Sequence, residues 1–469
     1  MFNPVDDKII SALIKIVGTQ RVITDTDALE NYSHDETPFY KTMPEVVVKP
    51  VSTSQVAAIL ENANRNLIPV TCRGGGTSLS AGAVPVHRGI VLLFELMNHI
   101  KEVDRQNLMV TVEPGIITGE LDKELTKYGL FFPPDPVSMD SCTIGGNIAE
   151  CAGGPRAMKY GVTKHYVTGL EVVMSDGTVT KLGGKLIKNV TGYDLIDLII
   201  GSEGTLAVVT EATLRVLPKP KEIVDLLMPF QNIAEASRFS IAVVNDGLMP
   251  AAIELMEGEV VRTVEKYLNK KVPYADAGGH VIVEIDGNDR DLVHKNYDQI
   301  GELALKMGAL DVIVAESAKD REKIWEIRKK VGEAMKALTR IVAREDLVVP
   351  KDRIPELIAA LKTCVGKYHG TLYAFGHLGD GNIHTDVGID VGAVHEPPLQ
   401  ELPEIRQMRK EMYEITISVG GTITAEHGIG LSKIDFLSLA LDKSTIDKMF
   451  KIKKIFDPNN ILNPGKIFP

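Results

Sequence analysis

Residues 71–85 read TCRGGGTSLSAGAVP, a composition suited to meeting an anion. Three consecutive glycines, Gly74, Gly75 and Gly76, leave backbone N–H groups unshielded, and Thr77, Ser78 and Ser80 add hydroxyl donors just after them. Such a run can wrap a diphosphate, because its donors converge and the missing Cβ atoms permit close approach. Two more glycine groups follow in the same half of the chain: CTIGGNIAECAGGP (residues 142–155) and KNVTGYDLIDLIIGSEGTLAVVTE (residues 188–211). A single cluster marks a tight turn more often than a ligand loop, but three in one domain point to a ligand. Neither GxGxxG nor GxxxxGK[ST] is present in proper form, which argues against a Rossmann nicotinamide site and a P-loop.

Around these loops, short β-branched runs (EVVVKPV, GIVLLFEL, LMVTVEP, LEVVMSDG, TLAVVTEATLRVL) alternate with helical stretches from about Pro44 to Val216. Val56 to Ala63 reads as a helix between two strands. The pattern is that of an α+β or α/β domain with its chemistry in the loops. Leu217–Pro218–Lys219–Pro220–Lys221 breaks regular structure and marks a boundary. Beyond it, GHVIVEIDG, LDVIVAES, GTLYAFG and NIHTDVGI are strand-like, with helical pieces such as REKIWEIRKKVGEAMKAL between them. That order predicts an antiparallel sheet with helices on one face. Gln400 to Val419 reads as a long helix. The expected division is an N-terminal helical segment (1–43), a loop-rich domain (44–217), a second domain (218–405) and a C-terminal segment (406–469) that completes the site and returns to the first domain.

The bulk numbers exclude more than they assign. A chain of 469 residues makes two or three domains. A formal net charge of −11 argues against a general nucleic-acid binder, which would show a basic face. The start, MFNPVDDKIISALIKIVG, lacks a basic leader, and Ile9, Ile10, Leu13, Ile14 and Val17 form a helical stripe with Asp6 and Asp7 at its first turn. No apolar run reaches the ~18 residues of a membrane span. Cys72, Cys142, Cys151 and Cys364 form no CxxC pair, so a zinc ribbon or iron–sulfur cluster is not expected within the chain. These features predict a cytoplasmic protein without an integral membrane segment.

The second half carries sharper chemistry. Phe375–Gly376–His377–Leu378–Gly379–Asp380–Gly381–Asn382–Ile383–His384 reads as strand, glycine-rich turn, strand, and a hairpin would set His377 beside His384. Thr424–Ala425–Glu426–His427–Gly428–Ile429–Gly430 joins an acid and a histidine ahead of a glycine-bent loop. Two imidazoles and a carboxylate are a common ligand set for Zn²⁺ or Fe²⁺. The plainer alternative is packing or surface histidines, with Asp380–Gly381 as ordinary turn chemistry.

Taken together and in order, Arg73–Gly82, Pro133–Pro136 (PPDP), Thr143–Ala149 and Gly201–Glu211 resemble the FAD-binding domain of the vanillyl-alcohol oxidase flavoprotein superfamily. With GHLGDGNIH and EHGIG, the chain from about residue 40 onward is similar to one branch of it. That branch holds the D-type component of glycolate oxidase, D-lactate dehydrogenase and D-2-hydroxyglutarate dehydrogenase. The resemblance implies an α+β architecture: a vanillyl-alcohol-oxidase-type FAD domain, then an antiparallel-sheet substrate domain with a C-terminal helical segment. It implies that Arg73, Gly74, Gly75, Gly76, Thr77 and Ser78 hold the FAD pyrophosphate, with Pro134, Ser138, Gly145, Gly146, Gly204 and Thr205 nearby. Some relatives attach FAD to a histidine at the place of Thr77, so non-covalent FAD is expected. His377, His384 and Glu426 are implied to bind one divalent metal, zinc or iron, with His427 as the base. Arg328, in the W-x-x-R context, is implied to clamp the substrate carboxylate. Arg344 and Gly332 stand where dicarboxylate-using relatives carry a lysine and a threonine, which favours a smaller monocarboxylate.

The implied activity is oxidation of a small D-2-hydroxy acid, D-lactate foremost, by hydride transfer to FAD. D-2-hydroxyglutarate, glycolate, or a low-activity flavin-bearing subunit of a larger oxidase are the alternatives. Without a cluster, haem motif or membrane span of its own, the chain is expected to pass electrons to a protein partner. Electron-transfer flavoprotein is favoured and an iron–sulfur subunit is the alternative.

Overall fold

The computed structural model describes residues 2–389 and 401–468; Gln400, the expected start of the long helix, lies outside them. The chain forms two compact units. The first comprises residues up to Gly153, Val162–Lys219 and everything from Glu426 onward; the second comprises Gly154–Gly161 and Pro220–Ala425. Among the described residues no helix is long and apolar enough to cross a membrane.

The first unit holds two main sheets. In one, Val46–Val48 and Val70–Arg73 flank Ile90–Leu93 in parallel, and Val22–Ile23 adds an antiparallel edge. The other is antiparallel, in the order Ile100–Asp104, Met109–Val112, Val208–Arg215, Val167–Val173, Val179–Gly183. The apolar stripe near the N-terminus folds as the helix Asp7–Val17, with Ile9, Leu13 and Val17 buried. Asp6 stands just outside it as the cap, accepting from the Lys8 and Ile9 amides. The helix Thr53–Asn66 likewise starts at a serine cap, Ser52, and buries Val56, Ile59, Leu60 and Ala63. Both helices share one core with the parallel sheet and with Ile461 and Leu462 near the C-terminus.

The second unit is built on a seven-stranded sheet, ordered Ile313–Ala315, Glu222–Phe230, Gly279–Gly287, Ala252–Glu257, Gly370–His377, Asn382–Ile389, Ile341–Val348. Every neighbouring pair runs antiparallel. Helices cover both faces, not one as expected. Val260, Val261, Ile324, Ile327, Val331 and Met335 pack with Leu227, Met256 and Ile282 on one side. On the other, an added Cβ on Gly279 would touch Ile233, and one on Gly287 would touch Val293, each from a different helix. The strands explain the correction: Ala252–Glu257 is buried at every position, so both faces need cover. The stretch Arg321–Leu338, expected as one helical piece, divides at Lys330 between the helices Ala318–Lys329 and Val331–Leu338.

Candidate active site

The glycine loops of the first unit line an open cleft, together with Phe94, Pro114, Ile148 and Val209. Of the expected residues, Arg73, Gly74, Gly145, Gly146 and Gly204 line it. Glycine is demanded at two of these: a Cβ on Gly74 would lie 2.2 Å from Thr143 Oγ1, and one on Gly145 2.7 Å from Pro114 Cβ. At Gly146 and Gly204 a Cβ would meet no protein atom closer than 3.5 Å, so bare backbone there leaves room that a side chain would fill. Thr143 caps the helix Ile144–Glu150 by accepting from the Gly146 amide, which turns that helix start toward the cleft lining. Such a glycine-walled groove fits a dinucleotide's diphosphate.

The other expected residues lie outside that lining and shape the loops. Gly75 packs against the Ser141 carbonyl, where a Cβ would sit at 2.1 Å, and Gly76 takes φ +71° over the Arg73 guanidinium. Thr77 is half-buried, and Ser78 Oγ accepts from the Gly82 amide at 3.1 Å. Pro134 is buried, Ser138 gives its carbonyl to the Ser141 and Cys142 amides, and Thr205 Oγ1 donates to the Ser202 carbonyl.

In the second unit, strand register assembles a polar row on one sheet face. Glu254 pairs with His377, Phe375 with His384, and His384 with Asp346. Side chains alternate along strands, so cross-strand partners share a face. His377 and His384 sit diagonally across the hairpin, with their Nε2 atoms 3.4 Å apart. Two nitrogens on one tetrahedral ion, each bound at about 2.0–2.1 Å, would be about 3.3–3.4 Å apart, so the spacing fits shared ligation. Glu254, fully buried, accepts from His377 Nδ1 on Oε1 (2.6 Å) and from Arg328 Nε on Oε2 (2.8 Å). A carboxylate behind a ligating imidazole fixes its tautomer and orientation. Burial alone would raise the Glu254 pKa, but the charges of His377 and Arg328 outweigh it and hold the carboxyl below its ordinary value.

Arg328 is buried in the last turn of its helix, over the Phe375 ring at 5.2 Å. Its Nη2 is buried and has no hydrogen-bond partner among the described residues. Arg344 differs: it lies 3.3 Å from Asp386 and also reaches the Gly332 carbonyl. Asp346 ties this face to the chain that follows. Its Oδ1 accepts from Asn382 Nδ2, and its Oδ2 from Thr424 Oγ1 and the Ala425 amide, both at 2.9 Å. Glu426, the next residue, opens the last segment of the first unit, where its Oε1 lies 4.0 Å from His427 Nε2.

Glu254 and Asp346 escape sequence reading. Glu254 is an acid inside the apolar run AIELM, which requires a buried partner but does not name it, and Asp346 follows Arg344 and Glu345 in REDLVV, where charge alone does not tell buried from exposed. A third such acid, Asp225, accepts from Trp325 Nε1 at 2.9 Å. Burial, and then the charge of Glu284, push its pKa up to about 8.

Comparison with known proteins bears on this arrangement. Residues 44–183 match the family model for an FAD binding domain, and residues 219–467 match that for the C-terminal domain of FAD linked oxidases. The chain is 38% identical to glycolate oxidase subunit GlcD of Bacillus subtilis (strain 168), covering 97% of this chain and 96% of that protein. It is 36% identical to a D-lactate dehydrogenase of Anaerostipes hadrus, covering 99% and 98%. In fold it is similar to 4-ethylphenol oxidase from Gulosibacter chungangensis, with TM-score 0.80, 19% identity and coverage of 98% and 97%.

Proposed function

Since this chain belongs to the FAD linked oxidase family and is an FAD-linked hydroxy-acid dehydrogenase, we propose that it oxidises a small D-2-hydroxy acid, D-lactate first, to the 2-oxo acid. The observation that carries this reading is Arg328: a buried guanidinium whose Nη2 lacks a partner among the described residues, sharing Glu254 with His377. Guanidinium matches carboxylate geometry, so Arg328 holds the substrate carboxylate while His427 accepts the hydroxyl proton. Arg344 already faces Asp386, so a second carboxylate finds no unneutralised arginine there. That favours D-lactate over D-2-hydroxyglutarate, with glycolate as the alternative of similar size.

Bound FAD supplies the hydride acceptor for C2–H. We assign it to Arg73, Gly74, Gly75, Gly76, Thr77 and Ser78 with Pro134, Ser138, Gly145, Gly146, Gly204 and Thr205, without a covalent link, since Thr77 offers no imidazole. Acid precipitation should therefore leave the flavin in solution, and flavin in the pellet would refute this. A divalent metal, zinc or iron, would be held by His377, His384 and Glu426 and would supply charge that eases loss of the hydroxyl proton. Glu254 keeps His377 and Arg328 in place for both tasks. The four unpaired thiols suit a reducing compartment, the cytoplasm.

Electrons leave, in this reading, to electron-transfer flavoprotein, or alternatively to an iron–sulfur subunit. The similar protein of Bacillus subtilis is by name a subunit of an oxidase, which supports a protein acceptor. The function is tested by mixing purified protein anaerobically with D-lactate, glycolate, D-glycerate and D-2-hydroxyglutarate while flavin bleaching is followed. Bleaching fastest with D-lactate is expected; bleaching by none of them would overturn the assignment. Reoxidation by air outpacing that by electron-transfer flavoprotein would overturn the acceptor.

A further inference from the structure

His427 sits at the head of a loop that is held from beneath by one carboxylate. Glu203 Oε1 accepts from the Ile429 amide at 2.7 Å, and its Oε2 from the Gly430 amide at 2.6 Å. The next two amides, of Leu431 and Ser432, donate to the Ser80 carbonyl at 2.8 and 3.2 Å. Four successive amides are thus taken by two residues, both from the glycine loops. Ser80 belongs to the loop 71–85, and Glu203 lies between Ser202 and Gly204, which line the cleft.

The loop's shape requires this fit. Gly428 has φ +79°, and a Cβ there would lie 2.5 Å from Glu150 Oε2 and 2.8 Å from Glu203 Oε1. Gly430 has φ +51°, and a Cβ would lie 1.9 Å from the Ser80 carbonyl. The backbone therefore rests directly on the two glutamates and on Ser80.

We propose that Glu203 is the positioning residue for His427: its carboxylate fixes the loop 426–430 and, with Ser80, joins it to the cofactor cleft. The proposal rests on His427 being the base. Both contacts are N–H donors, which a carboxylate meets best by accepting on both oxygens; glutamine would turn an NH₂ toward one of them. Burial raises the pKa of both Glu150 and Glu203; at Glu150 the charges of Glu203 and then Asp35 add to the rise, and Lys466 and Lys433 oppose it at both. The amides of Ile429 and Gly430 counteract the rise at Glu203. Glu150 Oε2, by contrast, is buried and has no hydrogen-bond partner among the described residues. The two loop amides thus favour the charged form at Glu203 rather than at Glu150.

The test uses full-length holoenzyme with Glu203→Gln, Glu203→Asp, His427→Asn and the Glu203→Gln/His427→Asn double variant. Three quantities are measured: FAD content, amide hydrogen exchange at Ile429 and Gly430, and the pH profile of flavin reduction by D-lactate. E203Q should keep FAD, lose protection at both amides, and reduce flavin about 10²-fold more slowly with little change in KM. Its pH profile should lose the limb that H427N also loses, and the double variant should be no slower than H427N. E203D, which keeps the charge on a shorter arm, should recover about tenfold of that loss. If E203Q fails to hold FAD, E203D decides by the same readouts, and wild-type protection at both amides with a rate lowered about 10²-fold in it would refute the proposal, because the slowing would then not act through the loop. Lost protection with an unchanged rate would also refute it, leaving Glu203 a loop anchor only. Full-rate reduction by H427N would refute the base assignment, an outcome visible in that single variant.

Discussion

Glu254 serves two side chains with one carboxylate, Oε1 for His377 and Oε2 for Arg328. Removing either partner outright would leave a buried charge uncompensated, at about 3–5 kcal/mol, so truncations here confuse folding with function. Arg328→Lys keeps the charge but loses the second arm of the fork. It should retain FAD and a near-normal unfolding midpoint, while kcat/KM for D-lactate falls about 10²-fold; unchanged kcat/KM would discard the clamp. The two histidine roles separate in the same manner. His384→Ala should keep FAD while losing metal and most turnover. His427→Asn should keep metal and slow flavin reduction by ~10²–10⁴-fold. Elemental analysis showing full metal, with near-normal reduction in both, would remove the whole constellation.

Among elements, the hairpin of Gly370–His377 and Asn382–Ile389 carries the most chemistry per residue. Its register places His384 opposite Phe375 and Asp346, so a slip by one residue would turn every imidazole to the opposite face. Gly376 secures that register with φ +149°, and a Cβ there would lie 2.5 Å from the Asn382 carbonyl. Gly376→Ala should therefore destabilise the second unit by about 1–3 kcal/mol and lower metal retention, with the FAD cleft unaffected. Unfolding curves and metal content measure both. Full metal content with wild-type stability would show that the hairpin tolerates a side chain there. The histidine motif was legible because period two and a glycine turn are local signals. Lys330, which splits the helical stretch, carries none.

Over the whole molecule, buried acids tie stability to pH. Asp225 has a folded pKa of about 8, against about 3.9 for an unperturbed aspartate. Between these values the folded chain holds a proton that the unfolded chain has released. The contribution is complete below about pH 4 and is lost as pH rises through about 8. Asp225→Asn still offers an oxygen to Trp325 Nε1 and cannot ionise. Its stability relative to the wild type should be more favourable at pH 8 than at pH 5 by roughly 2–4 kcal/mol in urea unfolding. An equal difference at both pH values would show that Asp225 is ionised in the folded chain.

What the sequence by itself determined is whatever neighbouring residues encode. The glycine loops, the hairpin turn, the caps at Asp6 and Ser52 and the stripe of Ile9, Leu13 and Val17 follow from backbone sterics, side-chain period and local hydrogen bonding. The histidines and the glycine loops could be named for the same reason, the motifs being contiguous, whereas Arg328 could be named only through the resemblance to a known family. Only the tertiary structure chose the partners. Glu254 meets His377 across 123 positions, and Glu203 meets Ile429 and Gly430 across 226 and 227. No period or turn signal spans such separations. An acid in an apolar strand states that a partner must exist, because burying a lone charge is too costly. Which partner it is follows from the register in which distant strands and loops pack, and that is fixed only when the chain has folded.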